Sequence, residues 1–265
     1  MFFNRVKHSE IVVVVPIYKN ILDEEEMLAL KLINTHLHKY DIVYICPRKI
    51  KNAEIVTGSH IEFDDHWFRS ANTYSELLLS SFFYEKFSKY KYMLIVQLDA
   101  LIFRDDLLYW ANKHYDYIGA PWMFKISDYM PYLNTLVPKY AEISEKNKWF
   151  VGNGGLSLRN IRSFLFILDK YKTELDDYKR RIKPLNWGSD ETPPMNEDIF
   201  WGLYIPSIFS KFKIPNYKTA INFSIETQAE PCLKMLKGRL PFGCHAWNKH
   251  GKEMWLNLLK ERGII

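Results

Sequence analysis

The fold is decided by residues 92–99, YMLIVQLD, an apolar run that ends in a carboxylate. A short, continuous apolar run of this kind is typical of a strand buried on both faces in a parallel sheet. A second run, IVVVV at residues 11–15, is entirely β-branched and ends at Pro16. We therefore predict two buried strands, with Pro16 and Asp99 just beyond their carboxyl ends.

The segments around these strands alternate between helical and extended patterns. Apolar residues have helical spacing in residues 23–40 and 70–87, whereas residues 41–46 and 61–63 have strand character. This alternation predicts an α/β fold with a parallel, nucleotide-binding type of sheet. Ligands of such sheets bind beyond the carboxyl ends of the strands.

The pattern after Asp99 is less regular. Residues 124–148 are polar and aromatic without a clear period, and we predict a flexible flap there. Residues 149–159 have the pattern strand, glycine turn, strand. Because the sequence contains no repeat, low-complexity tract or evident linker, we predict one domain over residues 1–265.

Composition excludes several classes of protein. The chain has 265 residues, of which 48% are hydrophobic and 25% charged, so it is not a disordered chain. Three scattered cysteines exclude a disulfide scaffold and a four-cysteine zinc site, and they fit a reducing cytosol. No apolar run approaches the roughly 20 residues of a membrane helix, and the first ten residues lack the apolar core of a signal peptide. We therefore expect a cytoplasmic protein.

The positive charge is concentrated near the C-terminus. Residues 227–265 contain seven Lys or Arg and three Glu, which gives +4 of the net +5. Such a region can bind phosphates, on a diphosphate ligand or on an anionic membrane surface, or it can simply be a solvated helical face. A nucleic-acid partner is not expected, because the basic residues lack regular aromatic interleaving and no RNA-binding signature is present.

Four motifs could carry chemistry. Asp99 at a strand end could hold a hard divalent cation or could only cap a turn. The segment GNGG, residues 152–155, fits a tight hairpin or a ligand-binding loop equally well. Glu197 and Asp198 open a predicted helix and could supply a general base, or they are ordinary helix-start acids. His245 could be a metal ligand or a core histidine.

Taken in order, these motifs resemble those of GT-A glycosyltransferases. They resemble more closely a domain-of-unknown-function family of bacterial proteins assigned to that class. The resemblance covers about residues 11–247. It is carried by VPIY (15–18), YSELLLS (74–80), QLDA (97–100), DYIGAPW (116–122), GNGGLSLR (152–159), ED (197–198) and GCHAW (243–247).

The resemblance implies a GT-A-like fold, in which helices flank a Rossmann-like sheet that is mixed but mostly parallel. The nucleotide-binding half would comprise about residues 1–120, and the acceptor-side half about residues 121–265. In this class the nucleoside meets a segment that matches Pro16 and Tyr18. The donor sugar and the acceptor meet a turn that matches Gly154 and Gly155.

The resemblance also assigns roles to the ionisable residues. Asp99 looks like the last acid of a DxD motif, and with His245 it would hold a divalent metal, Mn²⁺ or Mg²⁺. Gln97 stands where the first acid of that motif often faces the ribose, and this departure leaves metal-independent chemistry open. Asp198, the second acid of the pair with Glu197, would be the catalytic base.

The implied activity is transfer of a sugar from a nucleotide donor, with UDP as the expected nucleotide, to a glycan or lipid-linked hydroxyl. The expected pathway is synthesis of a bacterial capsule or lipopolysaccharide, with the basic C-terminal region against the inner face of the membrane. One alternative is a catalytically inactive protein of the same fold that binds a sugar nucleotide or a glycan. Another is a retaining transferase, because the fold alone does not settle stereochemistry.

Overall fold

The structure is a computed structural model that describes residues 5–50, 59–129, 132–147, 149–182 and 196–265. The strands of this part of the chain, in chain order, are β1 (Ile11–Pro16), β2 (Asp41–Pro47), β3 (Ser59–Phe63), β4 (Tyr92–Val96), β5 (Leu101–Ile102), β6 (Tyr117–Ile118), β7 (Pro121–Trp122), β8 (Phe150–Val151), β9 (Leu156–Asn160), β10 (Ser224–Ile225) and β11 (Gly243–Cys244).

The helices of the described residues surround these strands. They are α1 (Glu24–Leu37), α2 (Ala71–Leu78), α3 (Ser81–Glu85), α4 (Leu107–Ala111), α5 (Ile126–Tyr129), α6 (Leu133–Leu136), α7 (Tyr140–Lys146), α8 (Ile161–Lys170), α9 (Lys172–Ile182), α10 (Glu197–Ile199), α11 (Ile205–Ile208), α12 (Tyr217–Phe223), α13 (Ala229–Met235) and α14 (Lys252–Glu261). Short 3₁₀ turns cover His8–Glu10 and Asp65–Phe68, and a π turn, Phe200–Tyr204, joins α10 to α11.

The central sheet has six strands in the order β3-β2-β1-β4-β9-β6. The first four are mutually parallel, and β9 runs antiparallel to both β4 and β6. The two strands expected from their apolar runs are direct neighbours, with Val14 opposite Ile95. The prediction of a GT-A-like α/β fold with a mixed, mostly parallel sheet is confirmed.

Alternate side chains of β1 enter two separate cores. Val13 and Val15 pack on the face covered by α1 and α14, whereas Val12 and Val14 pack on the face covered by α3 and α8. All four valines are completely buried. Full burial of each contributes roughly 1.5–3 kcal/mol, so this strand holds both helical layers to the sheet.

Two small sheets complete the frame around the carboxyl ends of β1 and β4. One has the order β10-β11-β5, with β5 antiparallel to β11, and the other pairs β7 with β8. Because β5 runs against the other two strands, residues that precede β5 lie at the same end as residues that follow β10 and β11. No helix in the described residues is long and apolar enough to cross a bilayer.

The predicted flap at residues 124–148 is wrong for the part that the structure describes. This segment forms α5, α6 and α7, and Leu133, Leu136 and Tyr140 are buried in the core. Leu133 and Leu136 lie on one face of α6, whereas Tyr140 begins the separate helix α7. The helices are only one or two turns long, so their period was hidden among polar and aromatic neighbours.

Candidate active site

A cavity of about 580 Å³ lies at the carboxyl ends of β1 and β4. The strand order reverses between these two strands, and such switch points are where open α/β sheets bind ligands. All but one of the site residues expected from the sequence line this cavity: Pro16, Tyr18, Gln97, Gly154, Gly155, Glu197, Asp198 and His245. The exception, Asp99, lies directly against His245.

His245 is the centre of a cluster of polar groups. Its Nε2 is 3.1 Å from Asp99 Oδ1 and 3.3 Å from Gln97 Oε1. On the other side of the ring, Nδ1 is 3.2 Å from Glu226 Oε1 and 3.0 Å from Asn153 Nδ2. Asp99 precedes β5, Glu226 follows β10 and His245 follows β11, so one end of the small sheet brings all three together.

The charges of this cluster hold the imidazole in its protonated form. Burial acts to lower the pKa of His245, but the Asp99 and Glu226 carboxylates outweigh it and raise the pKa to about 9. For Asp99, burial acts to raise the pKa, but His245 and the nearby ammonium of Lys249, 3.7 Å away, lower it overall. Without a bound cation the cluster at neutral pH is therefore an imidazolium between two carboxylates, and a metal at Nε2 would have to replace the proton there.

The donor atoms of this cluster fit a hard divalent cation. Asp99 Oδ1 is buried and has no hydrogen-bond partner among the described residues, although it contacts the imidazole. Its 3.1 Å separation from His245 Nε2, and the 3.3 Å from Nε2 to Gln97 Oε1, approximate adjacent positions of an octahedron. For Mg²⁺ bonds of 2.0–2.1 Å, such positions are about 3 Å apart.

Two further observations define what such a site requires. Glu226 faces Nδ1, which is how a carboxylate commonly fixes the tautomer of a histidine that binds metal through Nε2. Within the described residues, no three His, Cys, Asp or Glu side chains could hold a metal together. A cation here would need the neutral Gln97 oxygen and oxygens of the substrate in addition to Asp99 and His245.

The glycine-rich turn connects two sheets. β8, which precedes it, pairs with β7, whereas β9, which follows it, pairs with β4 and β6. The turn is therefore not a hairpin between its own flanking strands, and its glycines line the cavity. Of the two alternatives that the sequence left open, the structure supports the loop at the ligand cavity.

Gly154 and Gly155 have no room for a side chain. A Cβ on Gly154 would lie 2.1 Å from Glu197 Oε1, and one on Gly155 would lie 1.9 Å from His245 Nε2. Both separations are far shorter than van der Waals contact. These glycines thus allow the turn to approach the acid pair and the histidine cluster at once.

Asn153 links the two halves of the site. It is buried in the left-handed backbone region, with φ of 70°, and its Oδ1 accepts hydrogen bonds from Gly155 N and Leu156 N. Its backbone N–H donates to Asp198 Oδ2 at 3.2 Å, while its side-chain amide contacts His245. One residue therefore fixes Asp198 relative to His245.

Asp198 is the carboxylate that is poised to exchange a proton. Burial, followed by the charges of Glu197 and Glu226, raises its pKa to about 7. Its Oδ1 accepts a hydrogen bond from Ile199 N at 2.9 Å. Asn196 precedes α10 but makes no side-chain capping bond; its carbonyl instead accepts a hydrogen bond from Tyr178 Oη.

Glu197 faces a different partner. It is 4% exposed, and its Oε1 accepts a 2.8 Å hydrogen bond from the guanidinium of Arg159, which is completely buried. Arg159 also donates to Tyr84 Oη and Ser157 Oγ. This ion pair ties the start of α10 to β9, the strand that follows the glycine turn.

Sequence analysis missed three residues that build the site. Asn153 and Arg159 lie inside the GNGGLSLR motif, but nothing in their spacing identified their partners. Glu226 carried a usable signal, because it is an acid directly after a short strand, as Asp99 is. The Asp65–Phe68 turn and α2 supply a second wall, formed by Phe68, Arg69, Ser70, Ala71, Tyr74 and Ser75.

Three of the tryptophans near the motifs pack in the core. Trp122, Trp201 and Trp247 are all at most 6% exposed. Trp149 is partly buried, and Trp187 lies outside the described residues. Tyr18, at 56% exposure, is the aromatic ring that the cavity presents most openly.

The fold is similar to that of solved glycosyltransferases over most of the chain. The galactosyltransferase LgtC, solved with donor and acceptor sugar analogues, matches with a TM-score of 0.52 at 13% identity, over 94% of this chain and 95% of its own. Mouse xyloside xylosyltransferase 1 matches with a TM-score of 0.51 at 10% identity, over 88% and 96%. The bifunctional glycosyltransferase WbbM matches with a TM-score of 0.51 at 14% identity, over 92% of this chain and 46% of its own.

At these identities the likeness concerns the fold. No curated protein has a significantly similar sequence. The signature of one protein family does match, over residues 58–245, and this range includes every motif of the cavity from α2 to His245. The chain therefore belongs to the family described as "Protein of unknown function (DUF5672)", as its motifs suggested.

Proposed function

We propose that this chain is an inverting glycosyltransferase that moves a sugar from a nucleoside diphosphate donor to a hydroxyl group. The observation that carries the proposal is that one cavity presents Asp198 together with Gln97 and His245, and that Asp99 lies directly against His245. Asp198 is suited to accept a proton, and the cluster of the other three residues is suited to receive a diphosphate. The cavity lies at the switch point of a GT-A fold, where a nucleotide is expected.

Asp198 is the proposed general base. The acceptor oxygen forms a bond to the anomeric carbon, the bond from that carbon to the diphosphate oxygen breaks, and its electron pair leaves with the diphosphate. The hydroxyl proton passes to Asp198. A base whose pKa is close to the working pH is most effective, and the pKa of about 7 meets this condition. Attack opposite the leaving group inverts the anomeric centre.

Glu197 has a positioning role in this proposal. Its carboxylate is already engaged by Arg159, so it is less available to an acceptor hydroxyl than Asp198 is. The negative charge of Glu197 also helps to raise the pKa of Asp198. Asn153 then holds Asp198 at a fixed position through its backbone N–H.

The leaving diphosphate requires positive charge near Asp99. Lys249 is the available side chain, because its ammonium is 69% exposed and 3.7 Å from Asp99 Oδ2. Lys252 is instead paired with Glu25. A divalent metal held by Asp99, His245 and Gln97 would neutralise charge on the diphosphate when bound. Tyr18 and Pro16 would then contact the nucleoside.

The finer assignments rest on the sequence resemblance. They are a UDP donor, a glycan or lipid-linked acceptor, and a role in capsule or lipopolysaccharide synthesis. We also propose a cytoplasmic location, which the three buried free cysteines support. Contact with an anionic inner membrane through the basic C-terminal region belongs to the same proposal. We further propose that residues 1–265 form a single functional domain.

The first test is thermal unfolding with UDP, GDP, CDP and dTDP, each with and without Mn²⁺. At about 100 times Kd, one ligand stabilises the folded state by roughly 2.7 kcal/mol. We expect stabilisation by one nucleotide, enhanced by Mn²⁺ in the wild type and not in Asp99→Asn. If the nucleotide stabilised the protein equally with and without Mn²⁺, Asp99 and His245 would be excluded as metal ligands.

Transfer itself is tested with the matching nucleotide sugar, and the product anomer is identified by NMR. An inverted anomer, lost in Asp198→Asn, supports the mechanism. A retained anomer would contradict it. Binding of the nucleotide without any transfer would instead favour the inactive sugar-nucleotide-binding alternative.

A further inference from the structure

A second cavity, of about 540 Å³, lies between α4, α12 and the segment before β11. It shares no lining residue with the candidate active site. We call it the basic cleft, because its lining includes four cationic side chains and one acid, namely Arg104, Lys113, Lys218, Arg239 and Asp106. Its volume is within the range of small-ligand sites, about 300–1,000 Å³.

Most of this positive charge is not neutralised by the protein. Arg104 pairs with Asp106, the acid of the cleft. Lys113, Lys218 and Arg239 form no ion pair with any residue in the described ranges. Three unpaired cations around one concavity attract an anionic group and can hydrogen-bond to it.

The same cleft has an aromatic lining. Tyr109 is 55% exposed, and the ammonium of Lys113 lies 4.4 Å from its ring centre. Trp110 and Tyr115 line the cleft beside it. Trp110 is 3% exposed, and its indole N–H is a buried donor without an acceptor among the described residues. The exposed Tyr109 ring is therefore the part of this aromatic lining that a ligand can contact.

The small three-stranded sheet separates this cleft from the candidate active site. Asp99, Glu226 and His245 lie at one end of β5, β10 and β11. Arg104 follows β5, while Asn222 and Arg239 precede β10 and β11, so they lie at the other end. Five residues of chain, at most about 17 Å, connect Asp99 to Arg104. One extended ligand could span this distance, but the two sites do not overlap.

We propose that the basic cleft is a second carbohydrate-binding site, for a saccharide that carries a carboxylate or phosphate group. The cations bind the anionic group, and the Tyr109 ring packs against the apolar face of a sugar. The choice of a saccharide as ligand rests on the proposed function. A membrane surface is a poorer occupant, because the cationic groups line a concavity and not a flat face.

The test measures binding of tetragalacturonate by calorimetry, with neutral maltotetraose as the comparison saccharide. The cleft variant is Lys113→Gln/Lys218→Gln. The control is Lys86→Gln/Lys89→Gln, which also removes two lysines that lie over aromatic rings, but outside the cleft lining. Binding is repeated with saturating UDP, with inorganic phosphate, and with vesicles of equal parts phosphatidylcholine and phosphatidylglycerol.

We expect tetragalacturonate to bind and maltotetraose not to bind. The cleft variant should bind at least tenfold more weakly, the control should bind as the wild type does, and UDP should not compete. Tyr109→Ala should also weaken binding. Equal binding by the cleft variant, or no binding by the wild type, would overturn the inference. So would inorganic phosphate binding as tightly as the saccharide, or lysine-dependent binding of vesicles alone. If UDP stabilises the protein in any of these cases, the proposed transferase function is unaffected.

Discussion

Replacing Asp198 with Asn removes the proposed base and keeps its size, but an amide has only one oxygen, so the variant keeps only one of the two hydrogen bonds that Asn153 N and Ile199 N donate. General base assistance is worth about 10²–10⁴ in rate, and we expect kcat to fall by that factor. The affinity for the nucleotide should change little, because Asp198 does not contact Asp99 or His245.

The pH dependence of the wild type follows from the raised pKa of Asp198. With a pKa of about 7, the deprotonated fraction increases roughly tenfold between pH 6 and pH 8. The rate of transfer should increase by that factor over this interval and then level off. The residual rate of Asp198→Asn should lack this increase.

Stability provides an independent readout with a definite sign. The folded protein retains the Asp198 proton up to about pH 7, whereas an unfolded chain releases it near the ordinary aspartate pKa of 3.8. Between these values the folded state binds more protons, so this residue makes the folded state less stable as pH rises, by at most about 1.4 kcal/mol per pH unit. The Asn variant should not lose stability in this way as pH rises, because its side chain does not titrate.

The assay is therefore transfer rate and urea unfolding of both proteins, each measured from pH 5 to pH 8. We expect the variant to be nearly inactive, and we expect its free energy of unfolding to lack the decrease that the wild type shows as pH rises towards 7. A variant that transfers sugar at the wild-type rate would refute the assignment of the base. A variant whose stability falls with pH as steeply as that of the wild type would show that Asp198 does not have the raised pKa.

Three further predictions concern the surroundings of Asp198. Gly155→Ala should abolish the Mn²⁺-dependent part of nucleotide binding, since its Cβ would displace the His245 ring. In the control Gly238→Ala the new Cβ meets no atom, but a φ of 74° strains the alanine, so this variant should lose stability and keep the Mn²⁺-dependent binding. Intact binding in Gly155→Ala would contradict the close approach of turn and ring. Glu226→Gln should lower the pKa of His245 from about 9, as followed by NMR titration of the metal-free protein, because one of two carboxylates is lost; an unchanged titration would exclude the contact. Arg159→Met should lower the free energy of unfolding, measured with urea, by about 3–5 kcal/mol, because the buried Glu197 carboxylate is left unpaired. The double variant Arg159→Met/Glu197→Leu should recover much of this loss, because it removes that carboxylate as well.

The nucleotide-binding half of the fold was predictable because its strands are short and uniformly apolar. The segments Val12–Val15 and Met93–Val96 are buried on both faces of the sheet, so each appears in the sequence as an uninterrupted apolar run. Short elements were harder. β6, β7 and β8 have two residues each, and their pairing depends on contacts between distant parts of the chain.

Site residues were predictable where an ionisable side chain lies next to a predicted strand end. Asp99 and His245 are polar residues directly beside strands, and their proximity follows once the strand directions are known. The links between such residues were not predictable. The contact of Asn153 with both Asp198 and His245 spans 45 and 92 positions of sequence, and no local pattern encodes a separation of that kind.

Arg159 is a residue whose burial could not be predicted from the sequence. As the last residue of the GNGGLSLR motif, it has the pattern of a solvent-exposed strand residue. It is in fact completely buried, because Glu197 and Tyr84 satisfy it from elements that are far away in the sequence. A buried arginine can be recognised only when its partners are known.

The two walls of the cavity have separate origins in the chain. The glycine turn and the ends of β4 and β11 hold the reacting groups through tightly interlocked contacts, in which even one added methyl group would collide. The opposite wall, from Phe68 to Ser75, belongs to a 3₁₀ turn and the start of α2, and in it the hydroxyl of Tyr74 lies against Gln97. Under the proposed function, the side chains of that wall other than Tyr74 could be exchanged, and with them the sugar that is accepted, while the glycine turn and the acid pair stay in place. Family members that differ in substrate should diverge there first and keep the glycine turn.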